Sequence, residues 1–207
     1  MASYVWLSLL SNLTLCVSAL FCSYKLFKDH RAPSVGLLLV GLAAGLCVLP
    51  SSSTLLTSIQ KDAVWAGDIL APSLLAFHFL WLSEDHSTAG ILLVGSCLLL
   101  GLCDSLSADT LVVLSRCLGL ASLSCCLMVC LFAGNMTGAL TSVALSLPVL
   151  LAPTFGRDTF ASLTSPAANE GMMRLFLKGF MSVGCWASTR SLHKFLLDVT
   201  DRYNLHI

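Results

Sequence analysis

Three charges interrupt otherwise apolar sequence: Asp68 in AGDILAP, Arg116 in LSRCLG and Lys178 in LFLKGF. In hydrocarbon a lone charge costs roughly 3 kcal/mol or more, so such residues turn inward and find a partner or a water-filled space. Each of the three lies about a turn and a half into its apolar run, and the three runs point the same way. All three charges, with Arg174 a turn shallower than Lys178, therefore fall at one level in the outer-leaflet half. Two chemistries suit this layer. An Asp68–Arg116 ion pair would pin two helices together and satisfy both charges. Alternatively the layer is a polar site for an anionic substrate, a lipid headgroup or a coupled proton, and the surplus cations Arg174 and Lys178 lean that way, although both are also able to snorkel to headgroups.

Other reactive residue types give weaker patterns. His30, His78, His86 and His193 fall toward one side of the expected bundle, with His206 in the tail. None is spaced three or four residues from another, as two ligands on one helix face would be. Asp29, His30, Asp85 and His86 are a thin metal candidate and read better as solvated loop residues; no metal or other cofactor is expected. The ten cysteines all lie in apolar runs and include no C-x2-C, so they read as small packing residues. Cys22, next to a basic loop, is a candidate for S-acylation. No nucleophile with a base, phosphate-binding glycine loop or paired catalytic carboxylates is present, so no enzymatic activity is expected. With a net charge of zero and no basic face, nucleic acid is not an expected partner.

The elements that must position these residues are bilayer-length helices. Only 11% of the 207 residues are charged and 57% are hydrophobic, against roughly 25% charged in an average soluble domain. A helix crosses the hydrocarbon core in about 20 residues, and seven runs qualify: Ala2 to Tyr24, Ser34 to Leu56, Ala63 to Leu82, Thr88 to Cys103, Thr110 to Phe132, Thr137 to Pro153 and Met172 to Ser188. They lack the alternation of barrel strands, and an open sheet leaves its edge unsatisfied in lipid. The fold expected is therefore all-α: a polytopic helical membrane bundle over residues 1–188 with a cytosolic amphipathic tail over 189–207. Basic residues mark the cytosolic side. Lys25, Lys28 and Arg31 in the first loop and Arg190, Lys194 and Arg202 in the tail share a side only if all seven runs cross. The N-terminus is then outside or lumenal. Val17-Ser18-Ala19 resembles a signal-peptidase site, but no basic segment precedes the apolar run, so the first helix is expected to be retained.

Several local patterns refine this frame. Asp29-His30 through Gly36 and the LLLVG that follows resemble Asp85-His86 through Gly90 and ILLVG, and Gly45-Leu46-Cys47 echoes Gly101-Leu102-Cys103. Asn135-Met136-Thr137-Gly138 reads as a degenerate third copy. Duplicated hairpins occur in transporters, whereas leucine- and glycine-rich helices also match one another by composition. Gly41-x3-Gly45 suits close helix contact, and the small residues around Gly119 to Cys126 suggest that the fifth helix is central. The sequons at Asn12 and Asn135 fall in a span and in a short, cytosolic loop; a glycan on Asn135 would invert the orientation. The segment from Phe155 to Gly171 reads as an outer cap. In the tail Leu192, Phe195, Leu196, Val199 and Tyr203 form an apolar stripe that fits the membrane surface, a partner or the protein's own bundle.

Two functional classes follow. A non-enzymatic accessory or scaffold subunit bound to another membrane protein suits the minimal loops and the amphipathic tail. A small transporter or channel with its polar site at Asp68, Arg116 and Lys178 is the alternative. An intramembrane lipid enzyme comes third, since nothing supplies its nucleophile.

Overall fold

The computed structural model describes residues 2–28, 30–50, 53–151 and 166–205. Among these there are seven α-helices and one short 3-10 turn, and no strand. The helices are α1 (Ala2–Leu26), α2 (Arg31–Leu46), α3 (Thr54–Leu82), α4 (His86–Gly101), α5 (Ala108–Phe132), α6 (Met136–Leu151) and α7 (Pro166–Leu205). The chain is an all-α membrane bundle. α1, α3 and α5 are long and apolar enough to cross a membrane; α2, α4 and α6 are equally apolar but have 16 residues each. Sixteen residues rise about 24 Å, a little less than the roughly 30 Å of hydrocarbon.

Helix ends depart from the apolar runs where capping chemistry overrides hydropathy. α2 stops at Leu46 rather than Leu56, and α3 begins at Thr54, well before Ala63, because the Ser53 hydroxyl accepts from the Leu56 amide at 3.2 Å. Gln60 holds the change of direction by donating from Nε2 to the carbonyls of Leu46 (2.7 Å) and Leu49 (3.2 Å), at and just past the end of α2. Two further reversals are built alike. Glu84 (φ 66°) and Gly134 (φ 67°) take the left-handed conformation. The next residues, Asp85 and Asn135, bond their amides to the carbonyls of Leu80 and Cys130. Their side chains then cap α4 and α6, accepting from the amides of Thr88 (3.1 Å) and Gly138 (3.0 Å).

A long helix followed by a 16-residue one recurs three times, in α1–α2, α3–α4 and α5–α6, matching the sequence similarity and its degenerate third copy. α7 closes the bundle against α1 and α6. The centre is α3, not α5: α3 packs on α2, α4, α5 and α6, and half of its most apolar stretch is buried (50%), against 22% for α5. Small residues allow the close approaches. A Cβ added at Gly36 would come within 3.1 Å of Ala71 Cα on α3, and one at Gly41 within 2.9 Å of Leu20 on α1. Ser23 and Ser34 bond reciprocally, each hydroxyl donating to the other's carbonyl at 2.8 Å, and so lock α1 to α2.

The last expected span and the amphipathic tail are one helix, since α7 passes position 188 without a break. Leu192 and Phe195 are buried, and Phe195 meets Phe79 of α3 edge to face at 5.2 Å. That part of the tail's stripe is covered by the protein's own bundle. The expected outer cap at 155–171 begins outside the described residues, and from Pro166 onward it is the first turn of α7.

Candidate functional site

The polar layer is split. Asp68 and Lys178 line one cavity of about 540 Å³, bounded by α1, α2, α3, α7 and the end of α6 at Pro148. Lys178 reaches it from α7 and donates from Nζ to Asn12 Oδ1 of α1 at 2.6 Å. A charged donor at that distance is among the stronger hydrogen bonds a protein makes. Its charge acts electrostatically on Asp68 and on Cys47, which also lines the cavity. Gln60, Lys61 and Thr57 carry the polar lining on along α3, and Lys61 is exposed. The remaining walls are apolar, supplied by residues such as Val40, Ala44, Trp65 and Met181. Volume and lining fit a small-molecule site, which is typically about 300–1,000 Å³, largely apolar, with a few convergent polar groups.

Arg116 is elsewhere. Ser73 Oγ of α3 lies 3.3 Å from Ser122 Oγ of α5, and two reversals separate these helices, so they run in the same direction. Counting back from that contact puts Arg116 within one turn of the level of Asp68, as the sequence suggests. The faces differ. Asp68 turns toward the cavity, beside Gly67, whose added Cβ would meet Val40 of α2. Arg116 is not among the cavity's lining residues, and its Nε is buried without a hydrogen-bond partner among the described residues. No ion pair links it to Asp68. The side chain of Arg174 lies outside the described residues.

Several residues acquire roles that their sequence context conceals. Asn12, a sequon residue, is 5% exposed and holds Lys178. Asn135 is 1% exposed; besides capping α6 it donates from Nδ2 to the Ser191 carbonyl of α7 at 3.0 Å. Both side chains are buried in the fold, which leaves no room for a glycan on either, so Asn135 gives no report of orientation. Lys61 and Gln60 fall before the expected start of the third span.

The histidines divide as well. His30 Nδ1 lies 2.7 Å from His78 Nε2, tying the start of α2 to α3, while the His86 ring lies against Trp81, tilted by 38° with 4.3 Å between centroids. Asp85 is the α4 cap; hydrogen bonds from the Thr88 hydroxyl and then its amide hold its carboxyl below the usual carboxylate range. Asp29 lies outside the described residues. No group of three or more His, Cys, Asp or Glu converges among the described residues to hold a metal. All ten cysteines are free thiols. Cys22, at 1% exposed, faces the bundle, a placement that removes it as an acylation site. Cys103 lies past α4, in the 3-10 turn.

No family model matches the chain, and no solved structure gives a significant match. Curated proteins do. The chain is 28% identical over 191 residues to transmembrane protein 276 of Mus musculus, covering 91% of this chain and 92% of that protein. It is 29% identical over the same share to transmembrane protein 276 of Homo sapiens. The likeness spans nearly the whole bundle and extends to proteins named for crossing a membrane. Together with the apolar helices it makes this chain a membrane protein in contact with the lipid bilayer.

Proposed function

We propose that this protein is a multi-pass carrier or receptor of a small solute, which it binds inside the bundle at the cavity of Asp68 and Lys178. In this reading all seven helices cross, with the basic α1–α2 turn and the end of α7 on the cytosolic side. The observation that carries it is the convergence of Asn12, Gln60, Asp68 and Lys178, from three helices, on one cavity with apolar walls. Charges inside a membrane bundle mark substrate and ion pathways, and internal repeats are a common transporter plan. Arg116 has no part in the site.

The test is a thermal-shift screen of small organic ions and amphiphiles on the purified protein in nanodiscs. Any ligand that stabilises the protein should lose its effect in Ala44→Trp, which fills the cavity, and keep it in Leu98→Trp, placed on an exposed face of α4. Equal effects in both variants contradict the reading.

A second reading, an accessory subunit of another membrane protein, is favoured by α4. Among the described residues that helix packs chiefly against α3 and α5, and it exposes Ile91, Val94 and Leu98. A near-stoichiometric membrane partner that is retained by Ala44→Trp and lost in Leu98→Trp supports this reading over the first.

A further inference from the structure

We infer that the cavity takes a protonated amine with an apolar body, its ammonium seated on the Asp68 carboxylate; this deepens the proposed function and rests on it. Depth comes first. Close approaches fix the relative levels of the helices: Gly41 of α2 meets Leu20 of α1, and Gly67 of α3 meets Val40 of α2. Asp68 therefore stands near the level of Val40 and Leu20, and it is the middle residue of the 29-residue α3. Gln60 precedes Asp68 by eight residues and Asn12 precedes Leu20 by eight, so both lie about 12 Å from that level. There Gln60 bonds the carbonyls of Leu46 and Leu49, and Asn12 holds Lys178. The cavity thus has a polar end at Asn12, Gln60 and the exposed Lys61, and a carboxylate at the other.

Partners come second. Among the described residues Asp68 makes no hydrogen bond and no ion pair. Lys178 acts on it only through space, because its Nζ is bonded to Asn12 at the opposite end. A charged carboxylate inside a membrane bundle calls for donors, and the ligand is the group that brings them. An inorganic cation would need about six oxygen ligands, and a single carboxylate stands here. An ammonium needs no such cage. Trp65, one turn before Asp68 and lining the same cavity, places an indole ring beside the seat, and indoles attract cations. Coulomb energy falls with distance, so contact with Asp68 at about 3 Å outweighs repulsion from the Lys178 ammonium at about 10 Å roughly threefold. Between the two ends Leu15, Ala44, Val64 and Leu177 give apolar walls suited to an aliphatic body. A second ammonium on the ligand would fall among Lys61 and Lys178, so diamines are disfavoured.

The experiment uses the full chain in phosphatidylcholine nanodiscs with Trp6, Trp81 and Trp186 replaced by Phe, so that Trp65 alone reports. Its emission is titrated at neutral pH with octylamine, octanol, octanoate and diaminooctane. Octylamine should give a saturable change at a concentration about tenfold to hundredfold below that of octanol, the gain of one charge-assisted hydrogen bond. Octanoate and the diamine should both bind more weakly than octylamine. Asp68→Asn should bring octylamine back to the octanol value and leave octanol unchanged, which also shows that the variant keeps its cavity. If that variant does not fold, the ranking of the four ligands on the protein with Asp68 intact decides. Octanol or octanoate as effective as octylamine, an unsaturable change, or an octylamine response that survives Asp68→Asn overturns the inference and leaves the cavity as a solute site. No response to any of the four overturns it too, and the proposed site falls with it only if the thermal-shift screen finds no ligand either.

Discussion

α2 and α4 carry nearly the same run of residues in opposite surroundings. Gly36 to Gly41 reads GLLLVG and Gly90 to Gly95 reads GILLVG, and both lie in 16-residue helices that follow a long one. Yet α2 buries eight residues and α4 four. Val40 is 3% exposed and Val94 is 56%. A Cβ at Gly36 would press on the α3 backbone, whereas one at Gly90 would meet nothing within 4 Å. The cause is position in the bundle: α2 is wedged between α1 and α3, while α4 has lipid-facing sides. A repeated sequence therefore repeats the hairpin but not its neighbours. The cavity formed beside the copy that is enclosed.

The comparison can be broken most forcefully at the glycines. Gly36→Val should cost about 3 kcal/mol, the upper range for overpacking a tight contact, whereas Gly90→Val should stay within about 0.5 kcal/mol. Melting temperatures in detergent would show it, and equal losses would mean that α2 and α4 are equally enclosed. Next comes the cavity's own hydrogen bond. Asn12→Ala should cost about 2 kcal/mol by removing one acceptor of Lys178, and the same change should cost less in a Lys178→Met background, where that bond is already absent. Additive losses in the double variant would contradict the pairing.

The smallest effect separates the two similar turns. Asn135→Ala should cost about 1 kcal/mol through the lost α6 cap, at any pH. The α4 turn instead titrates. Asp85 has a depressed carboxyl pKa, so its contribution is complete above the ordinary carboxylate range and disappears as pH falls through the depressed value. Hydrogen exchange should therefore show the first turn of α4 loosening in acid, with α6 unchanged and Asp85→Asn insensitive to pH.

Much of this fold is legible in the chain, because bilayer-length apolar runs leave few alternatives to helices. The similar stretches coincide with the alternation of long and short helices, and Asp85 and Asn135, which stand at corresponding places in them, cap α4 and α6. The site was half readable. Asp68 and Lys178 stood out as charges in apolar sequence, and counting turns gave the depth of Arg116. The face it occupies depends on how α5 is rotated against α3, and Ser73–Ser122 sets that rotation with two ordinary serines. Asn12 looked like a sequon because no local pattern reveals a partner 166 positions away. Gln60 and Lys61 fell outside a hydropathy window whose true boundary was set by the Ser53 cap.

Cys47 and Cys103 end matching Gly-Leu-Cys triplets, and only Cys47 lines the cavity. The most direct measurement is the rate at which a small methanethiosulfonate reagent modifies each thiol in single-cysteine variants, with and without a ligand that stabilises the protein in the thermal-shift screen. Protection of Cys47 alone, lost in Ala44→Trp, is the result this account predicts. Equal protection of both thiols, or protection of Cys47 that survives a filled cavity, would contradict it.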